Sequence, residues 1–286
     1  MAKGSAEGSA KASAEGSAGT SAAANPYTSL LTSRLRSQLA YRASFTLELV
    51  SSAGIGLIEL AEVLVIFHNV PTLAGFDVTA ALLVFALSNV GFSLADLVFG
   101  QLDEIPALVR AGTLDVLLLR PLPVLAQLVL ANVTLKRIGR ALLSGGVLVV
   151  VLPRLPIRWT PAHLLLVTAT PLAAAALFGA LFTVAGAVQF FVMDGGEVAN
   201  AFTYGGSYAS QFPTTVIPMP LRVLYGFVIP TVFISFAPAL TLLDRALPPG
   251  WPPWLGWTSP VAAALAWGVA LWAWRFGLRH YQGGGG

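Results

Sequence analysis

The sequence predicts an all-α, polytopic membrane protein with six transmembrane helices. Three observations support this fold class: the composition, the length of the apolar segments and the placement of the basic residues. The 286 residues are 56% hydrophobic and only 10% charged, with a mean hydropathy of +0.77, whereas soluble domains carry about 25% charged residues. Several apolar segments reach the roughly 20 residues that a helix needs to cross a bilayer. Helices are expected because a helix satisfies its backbone hydrogen bonds within one segment, as lipid requires.

Six apolar segments are the candidate transmembrane helices. The fourth is long enough to be tilted or broken, and Pro230 and Pro238 predict a kink or a break in the fifth. The six segments cover residues 43–67, 80–100, 133–152, 162–192, 222–243 and 259–278.

The Lys and Arg residues fall mainly on one side of this six-helix arrangement. With the amino terminus in the cytoplasm, thirteen of the 16 lie on the cytoplasmic side, and only Arg154, Arg158 and Arg245 lie on the other. Because cytoplasmic loops carry an excess of Lys and Arg, we expect a multi-pass protein of the cytoplasmic (plasma) membrane with both termini in the cytoplasm. The formal charge of +3 is spread over loop ends, so it does not indicate nucleic-acid binding.

Both ends of the chain differ from the apolar region between them. Residues 1–26 are rich in Ser, Ala and Gly and are predicted to be a disordered tail, and the glycines at 283–286 are expected to form a flexible end. Residues 27–42 are predicted to form an amphipathic helix in the membrane interface, because leucines recur every four residues in this segment. The transmembrane domain is therefore assigned to residues 27–282. The arginines off the leucine stripe are Arg34, Arg36 and Arg42.

The link between the fifth and sixth spans, LPPGWPPWLGWTSP, is rich in Pro and Trp. The prolines preclude a long regular helix, and the tryptophans suit the membrane–water interface. We expect a pair of short outer re-entrant or surface segments here; an ordinary loop anchored by its tryptophans is the alternative.

A short charged segment, VRAGTLDVLLLRPLP, lies between the second and third spans on the cytoplasmic side. Pro106 and Gly112 are placed to start and stop one helix, and Thr113 is placed to cap a second, which Pro121 ends at Arg120. Two short helices that carry both apolar and charged side chains are suited to docking on another protein; the alternative is a solvated interfacial loop. The candidate docking residues are Arg110, Gly112, Leu114, Asp115, Leu118, Arg120 and Pro121.

This segment resembles a motif of ABC-2 type permeases, the six-helix subunits of ATP-driven exporters. LVRAGTLDVLLLRPLPVLAQ is similar to the family pattern Ile-Arg-x-Gly-x-Leu-Asp-x-Leu-Leu-Leu-Arg-Pro. FPTTVIPMPLRVLYGFVIPTVFISFAPA resembles the proline-rich fifth-helix region of the family, and WRFGLRHYQGGG resembles its carboxyl-terminal ending. The Ser/Ala/Gly tail and the terminal glycines are not part of the pattern.

The resemblance implies roles and partners. The charged segment would be the coupling helix that binds a groove of a nucleotide-binding subunit, and the amphipathic segment before the first span would be the connecting helix. Two copies of a separate ABC ATPase would bind ATP and Mg, and the chain itself would hold no cofactor. A second, related permease would complete a heterodimer, with a second copy of this chain as the alternative, in contact with membrane lipids.

The sequence contains no motif for an enzyme active site. Nothing fits the P-loop pattern G-x-x-x-x-G-K-[ST], so the chain is not expected to hydrolyse ATP by that route. There is no Cys, and no G-x-S-x-G surrounds any serine. The histidines His68, His163 and His280 lack a convincing third ligand for a metal.

Carboxylates and an amide inside the apolar segments are the candidate translocation-path residues. Glu48, Glu59 and Glu62 lie within about 60° on one face of the first helix, given the helical period, and Asn89 and Asp96 form a second polar stripe on helix two. Intramembrane carboxylates are candidate functional sites by default. They could line a polar path or take up protons; alternatively, they pack against the partner permease or are satisfied by hydroxyl and Arg side chains.

Two tyrosines after the fourth span, Tyr204 and Tyr208, are expected to make loop contacts rather than to form a substrate site. The function that the resemblance implies is that of the transmembrane permease subunit of an ATP-driven exporter, which moves a lipid, a glycolipid or an amphiphilic drug across the cytoplasmic membrane. A proton-coupled secondary transporter or channel that uses the helix-one glutamates is the alternative, and a structural membrane scaffold is a third possibility.

Overall fold

The computed structural model describes residues 42–131, 137–192 and 196–281. These residues form α-helices joined by short 3-10 turns, with a π-helical turn at Leu224–Val228 and an isolated β-bridge between Leu73 and Phe76. The α-helices, in chain order, are α1 (Arg42–Asn69), α2 (Val78–Phe99), α3 (Ile105–Arg110), α4 (Thr113–Leu118), α5 (Val124–Ala131), α6 (Ile138–Val151), α7 (Pro161–Val188), α8 (Gly196–Ser210), α9 (Met219–Val223), α10 (Phe236–Leu242) and α11 (Ser259–His280).

Within the described residues, four helical segments are long and apolar enough to cross a membrane: α1, α2 with its continuation through the 3-10 turn into α3 (Val78–Arg110), α7 and α11. A bent pair of helices is a fifth candidate crossing if its two halves form one span. It joins Met219–Val228 to Thr231–Leu242 with a bend of 67°, and the break falls at Pro230, as the sequence predicts. The fourth predicted span is the continuous helix α7, which contains Pro171 without interruption.

The third predicted span stays a prediction. Its residues 133–136 lie outside the described residues, and the described part is α6, a helix of 14 residues, shorter than the roughly 20 residues of a crossing helix. The structure therefore supports a multi-pass membrane protein with four to five candidate spans and leaves the count of six untested.

Helix α2 lies at the centre of the bundle because its small residues allow neighbouring helices to approach closely. Gly91 faces Ala174 of α7 so tightly that a side chain there would overlap it. Phe92 packs edge-on against Phe178 of α7, with ring centroids 5.2 Å apart. Almost every residue of α2 from Ala80 to Ala95 is buried, whereas α1 keeps large apolar side chains exposed along most of its length.

Two ends of the bundle can be distinguished by their arginines. At one, the Arg245 end, the guanidinium of Arg245 donates to the carbonyl oxygen of Gly75 at 3.0 Å, in the turn between α1 and α2. The pKa of Asp77 there is lowered: burial raises it, but hydrogen bonding from Thr79 and the charge of Arg245 outweigh that effect. At the other, the Arg110 end, α2 continues through a 3-10 turn into α3.

Helix α8 enters the bundle from the Arg110 end and stops halfway. Its last residue, Ser210, forms a hydroxyl–hydroxyl hydrogen bond with Ser88, near the middle of α2. Tyr225 lies back beside Gly205, and Ser235 then donates to the carbonyl oxygen of Ser210 at 2.6 Å. The chain therefore returns towards the Arg110 end after α8 before the broken span begins. The expectation of plain loop contacts in this region is wrong, since Tyr204 and Tyr208 lie on a re-entrant helix.

The link between the broken span and α11 forms one short 3-10 helix, Pro253–Trp257, instead of a pair of segments. It packs on α10, because Gly256 lies against the carbonyl oxygen of Ala237 where a side chain would not fit. Trp251 packs edge-on against Phe227, with centroids 5.4 Å apart. The link is thus fixed to the broken span.

The charged segment forms two short helices with a glycine corner, as predicted. Gly112 has φ of +66°, a left-handed conformation that favours glycine. Two details differ from the prediction. Gly112 rather than Thr113 precedes the second helix, and no side chain caps it; the helix ends at Leu118 rather than at Arg120. Pro121 has no N–H to donate to the carbonyl oxygen of Leu117, which accepts instead from the side chain of Gln127 at 3.0 Å.

Several predictions concern residues outside the described ranges. These are the tail at 1–26, the connecting helix with Arg34 and Arg36, and the glycines at 283–286. Arg42 is the first residue of α1.

Candidate functional site

A cluster of ionisable side chains lies between α1, α2 and α6. Nη2 of Arg140 lies 2.6 and 2.7 Å from the two carboxylate oxygens of Glu59 and 2.9 Å from Oδ1 of Asn89. A second ion pair joins Arg137 to Asp96. We call these five residues the polar cluster.

The charges of the polar cluster are largely removed from water and compensate one another. The side chains of Arg140 and Glu59 are only 12% and 18% exposed. The guanidinium of Arg140 also lies 4.7 Å from the ring centroid of Phe92, a distance at which a cation–π interaction is favourable. An unpaired charge at such a site is costly, so the pairing explains how apolar helices accommodate these groups.

Backbone contacts hold α6 in the register that this pairing needs. The hydroxyl of Ser52 on α1 donates to the carbonyl oxygen of Arg137 at 3.3 Å and accepts from the backbone N–H of Arg140 at 3.3 Å. Gly139, between the two arginines, lies against the backbone of α1 at Leu49. The small residues Ser52 and Gly139 thus bring the two helices close enough for the arginines to reach α1 and α2.

The re-entrant helix α8 is tied to α1 and to the 3-10 turn after α2 by tyrosine–carboxylate hydrogen bonds. Tyr208 donates to Glu62, and Tyr204 donates to Oδ2 of Asp103 at 3.1 Å. Glu62 is therefore separate from the polar cluster, although it lies near Glu59 on the same helix.

A cavity of about 470 Å³ opens beside the polar cluster. Glu48 lies at its wall, together with the polar cluster's ion-paired side chains and Tyr204 of α8. The wall therefore carries both signs of charge inside a bundle of apolar helices, and such a cavity can accept a polar or zwitterionic group. Among the described residues there is no group of three His, Asp or Glu side chains that could hold a metal ion.

The structure brings together three of the five path candidates, Glu59, Asn89 and Asp96. The alternative that Arg side chains satisfy these carboxylates is the one that the structure favours, although the sequence pointed to Arg137 and Arg140 only as markers of topology. A signal was available: two arginines three residues apart lie on one helix face, and intramembrane carboxylates need partners.

The docking segment, α3 and α4 with the residues to Pro121, lies at the Arg110 end. Its exposed surface combines charge with large apolar side chains: Val116, Leu118 and Leu119 are 53%, 42% and 87% exposed, and Arg110 and Arg120 are exposed beside them. Leu114, in contrast, is fully buried. It packs into the bundle rather than facing a partner.

Two contacts attach the docking segment to the long helices. Ile105 packs against Gly186 near the end of α7. Oδ1 of Asp115 accepts a hydrogen bond of 3.1 Å from the hydroxyl of Tyr281, directly after α11. Tyr281 itself packs on Phe190, with ring centroids 5.9 Å apart. The docking segment and the ends of α7 and α11 therefore form one connected unit.

Comparison with known protein families gives one match. The family model described as "ABC-2 family transporter protein" matches residues 54–285, which includes the polar cluster, the docking segment and the broken span. No curated protein and no solved structure matches the chain.

Proposed function

This chain belongs to the ABC-2 transporter family, and on that premise we propose that it is the transmembrane subunit of an ATP-driven exporter. Family membership makes it a membrane permease that associates with separate ABC ATPase subunits. The substrate that we propose is lipid-like or amphiphilic, namely a lipid, a glycolipid or a drug. The observation that carries the proposal is the docking segment, an exposed surface of apolar and basic side chains fixed to α7 and α11 at one end of the bundle.

The docking segment acts as the coupling helix. A partner ATPase binds Val116, Leu118 and Leu119 in an apolar groove, with Arg110 and Arg120 at its rim. Apolar anchors surrounded by polar groups are the usual anatomy of a protein interface. When two ATPase copies close on ATP and Mg, the movement passes through Asp115 to α11.

The polar cavity supports an amphiphilic substrate. A polar group of the substrate is matched by the mixed charges of the polar cluster, while the exposed apolar face of α1 accommodates its apolar part. Only 11% of the residues in the apolar stretch of α1 are buried. Helix α1 is therefore also the surface available to a second permease. We propose a heterodimer with a related chain, with a second copy of this chain as the alternative.

The experiment is co-expression of the full chain with ABC ATPases encoded near it, followed by affinity purification. We expect an ATPase to co-purify, and we expect Arg110→Glu or Leu119→Asp to reduce its recovery at least tenfold. Arg154→Glu is the matched control, since Arg154 is an exposed arginine outside the docking segment. Recovery of the ATPase that neither Arg110→Glu nor Leu119→Asp reduces relative to the control would show that the docking segment does not bind the ATPase.

Reconstituted transport tests the source of energy. We expect transport to require ATP and the partner, and to be lost in the Asp115→Arg variant. Transport driven by a pH gradient without ATP, and abolished by Glu59→Gln, would replace the proposal with a proton-coupled secondary transporter.

A further inference from the structure

A second cavity, of about 610 Å³, lies between α7, α8, the broken span and α11. We call it the apolar cavity. Phe202 of α8 lines it, whereas Tyr204 lines the polar cavity. Because positions two apart on a helix point about 200° apart, α8 separates the two cavities, and a ligand of one does not reach the other.

The break in the fifth crossing creates the apolar cavity. Proline cannot donate a backbone hydrogen bond, so a helix breaks there readily, and the two halves diverge by 67° around Pro230. The straight helix α11 cannot follow that bend, which leaves a wedge between Ile229 and Ala266. At the Arg245 end the 3-10 helix closes the wedge with Trp254 and Leu255.

The walls of the apolar cavity are almost entirely apolar. Apart from the indole of Trp254, the only polar side chain among the lining residues is that of Thr258, and its hydroxyl already donates to the carbonyl oxygen of Leu255 at 2.6 Å. Burying a polar or charged group against such walls costs free energy. The volume lies within the range of about 300–1,000 Å³ that small-molecule sites occupy, so an apolar molecule or chain fits the site.

The mouth of the apolar cavity opens onto the membrane-facing side of α11. Val228 is 64% exposed at the broken span, and Val261, Leu265 and Val269 of α11 are 59%, 69% and 59% exposed. The stretch of α11 from Val261 to Val269 corresponds to about 12 Å of depth at 1.5 Å per residue. Since α11 qualifies as a membrane span, this mouth is continuous with the protein–lipid boundary, where the molecules at hand are lipid chains.

We propose that the apolar cavity binds one acyl chain of a bilayer phospholipid, held between α11 and the broken span. Trp254 marks where the headgroup lies. It is 61% exposed at the rim of the cavity, and Trp is enriched at the membrane–water interface because its ring is apolar and its N–H is polar. The bound lipid fills the wedge that the bend leaves and is a resident ligand, independent of the proposed transport substrate.

Photo-crosslinking tests the proposal with the full chain in nanodiscs of phosphatidylethanolamine and phosphatidylglycerol. The probe is a phospholipid with a diazirine near the end of one acyl chain, and mass spectrometry of peptides locates the adducts. We expect the adducts to concentrate on residues 227–233 and 261–269. The exposed face of α1 around Leu47, which is 73% exposed and outside the cavity, gives the background for ordinary annular lipid.

Two variants fill the apolar cavity, Ala266→Phe and Val228→Trp. Ala264→Phe is the matched control, because Ala264 lies on α11 but lines a different groove. We expect both filling variants to reduce the adduct yield at least fivefold and the control to leave it unchanged. If Ala266→Phe does not fold, Val228→Trp decides, since that side chain is 64% exposed and has room to enlarge.

Three results would overturn the proposal. Adduct yields on the cavity walls equal to those on α1 would mean annular lipid only. Yields that both filling variants leave unchanged would place the label elsewhere. Crosslinks between two copies of the chain at these residues, without lipid adducts, would assign the cavity to a protein interface.

Discussion

Removing the charge of Arg140 alone is predicted to destabilise the protein more than removing the charges of Arg140 and Glu59 together. In Arg140→Met the carboxylate of Glu59, 18% exposed, loses both contacts to the guanidinium and is left without its ionic partner between apolar helices. Breaking a fully buried pair costs about 3–5 kcal/mol. Because this pair retains some exposure and lines a cavity, we expect about 2–3 kcal/mol, a fall in melting temperature of about 5–10 °C for a chain of this size.

The double variant shows whether the unpartnered carboxylate is the cause of the instability. In Glu59→Gln the amide oxygen still accepts from Arg140, and Asn89 at 2.9 Å remains, so the expected cost is about 1 kcal/mol. In Glu59→Gln with Arg140→Met no unpaired charge is left. We therefore expect the double variant to be more stable than Arg140→Met alone, a non-additivity that is typical of directly contacting residues.

Thermal unfolding of the detergent-solubilised chain, followed by tryptophan fluorescence, measures this. Arg154→Met is the control, because Arg154 is exposed. The reasoning is refuted if Arg140→Met unfolds at the same temperature as this control, or if the double variant is less stable than Arg140→Met.

Further predictions concern packing, coupling and pH. Gly277→Val should cost about 1–3 kcal/mol in unfolding assays, because a side chain there meets the ring of Phe190, whereas Gly268→Val, with open space, should cost much less. Tyr281→Phe removes the hydrogen bond to the docking segment and should lower the free energy of unfolding by about 1 kcal/mol. It should also lower the amount of substrate transported per ATP that the partner hydrolyses. An unchanged amount per ATP would argue against coupling through α11. Asp77→Asn should destabilise the protein by about 0.5–1 kcal/mol at neutral pH. Because the folded pKa of Asp77 is lowered, the difference in stability between Asp77→Asn and the unchanged protein should disappear as the pH falls through that pKa. A difference that stays constant in acid would show that the charge of Asp77 is not stabilising.

The short-range features of this protein could be predicted from the sequence because their causes act within a few residues. Apolar length predicts α1, α2, α7 and α11 to within a few residues. The corner between α3 and α4 requires a residue that tolerates a positive φ, and Gly112 is such a residue. Its position in the sequence therefore predicts the two-helix form of the docking segment. Pro230 breaks the fifth crossing because it lacks a backbone donor.

That Arg side chains satisfy the carboxylates could be proposed from the sequence, but which arginine pairs with which carboxylate could not be predicted in this way. Glu59 and Arg140 are 81 positions apart, and Asp115 and Tyr281 are 166 apart. Which arginine reaches a carboxylate depends on the register and distance at which α6 packs on α1. No local pattern encodes that register.

The sequence by itself determined that the chain is an apolar, helical, multi-pass membrane protein with a charged pair of short helices in its middle and a proline break near its end. The tertiary structure alone decided that α8 turns back at the middle of the bundle and separates a polar cavity from an apolar one. The physical reason is that hydrophobic length and backbone chemistry act locally, whereas a re-entrant helix depends on hydrogen bonds such as that between Ser210 and Ser88, 122 positions apart, which exist only after the helices have packed.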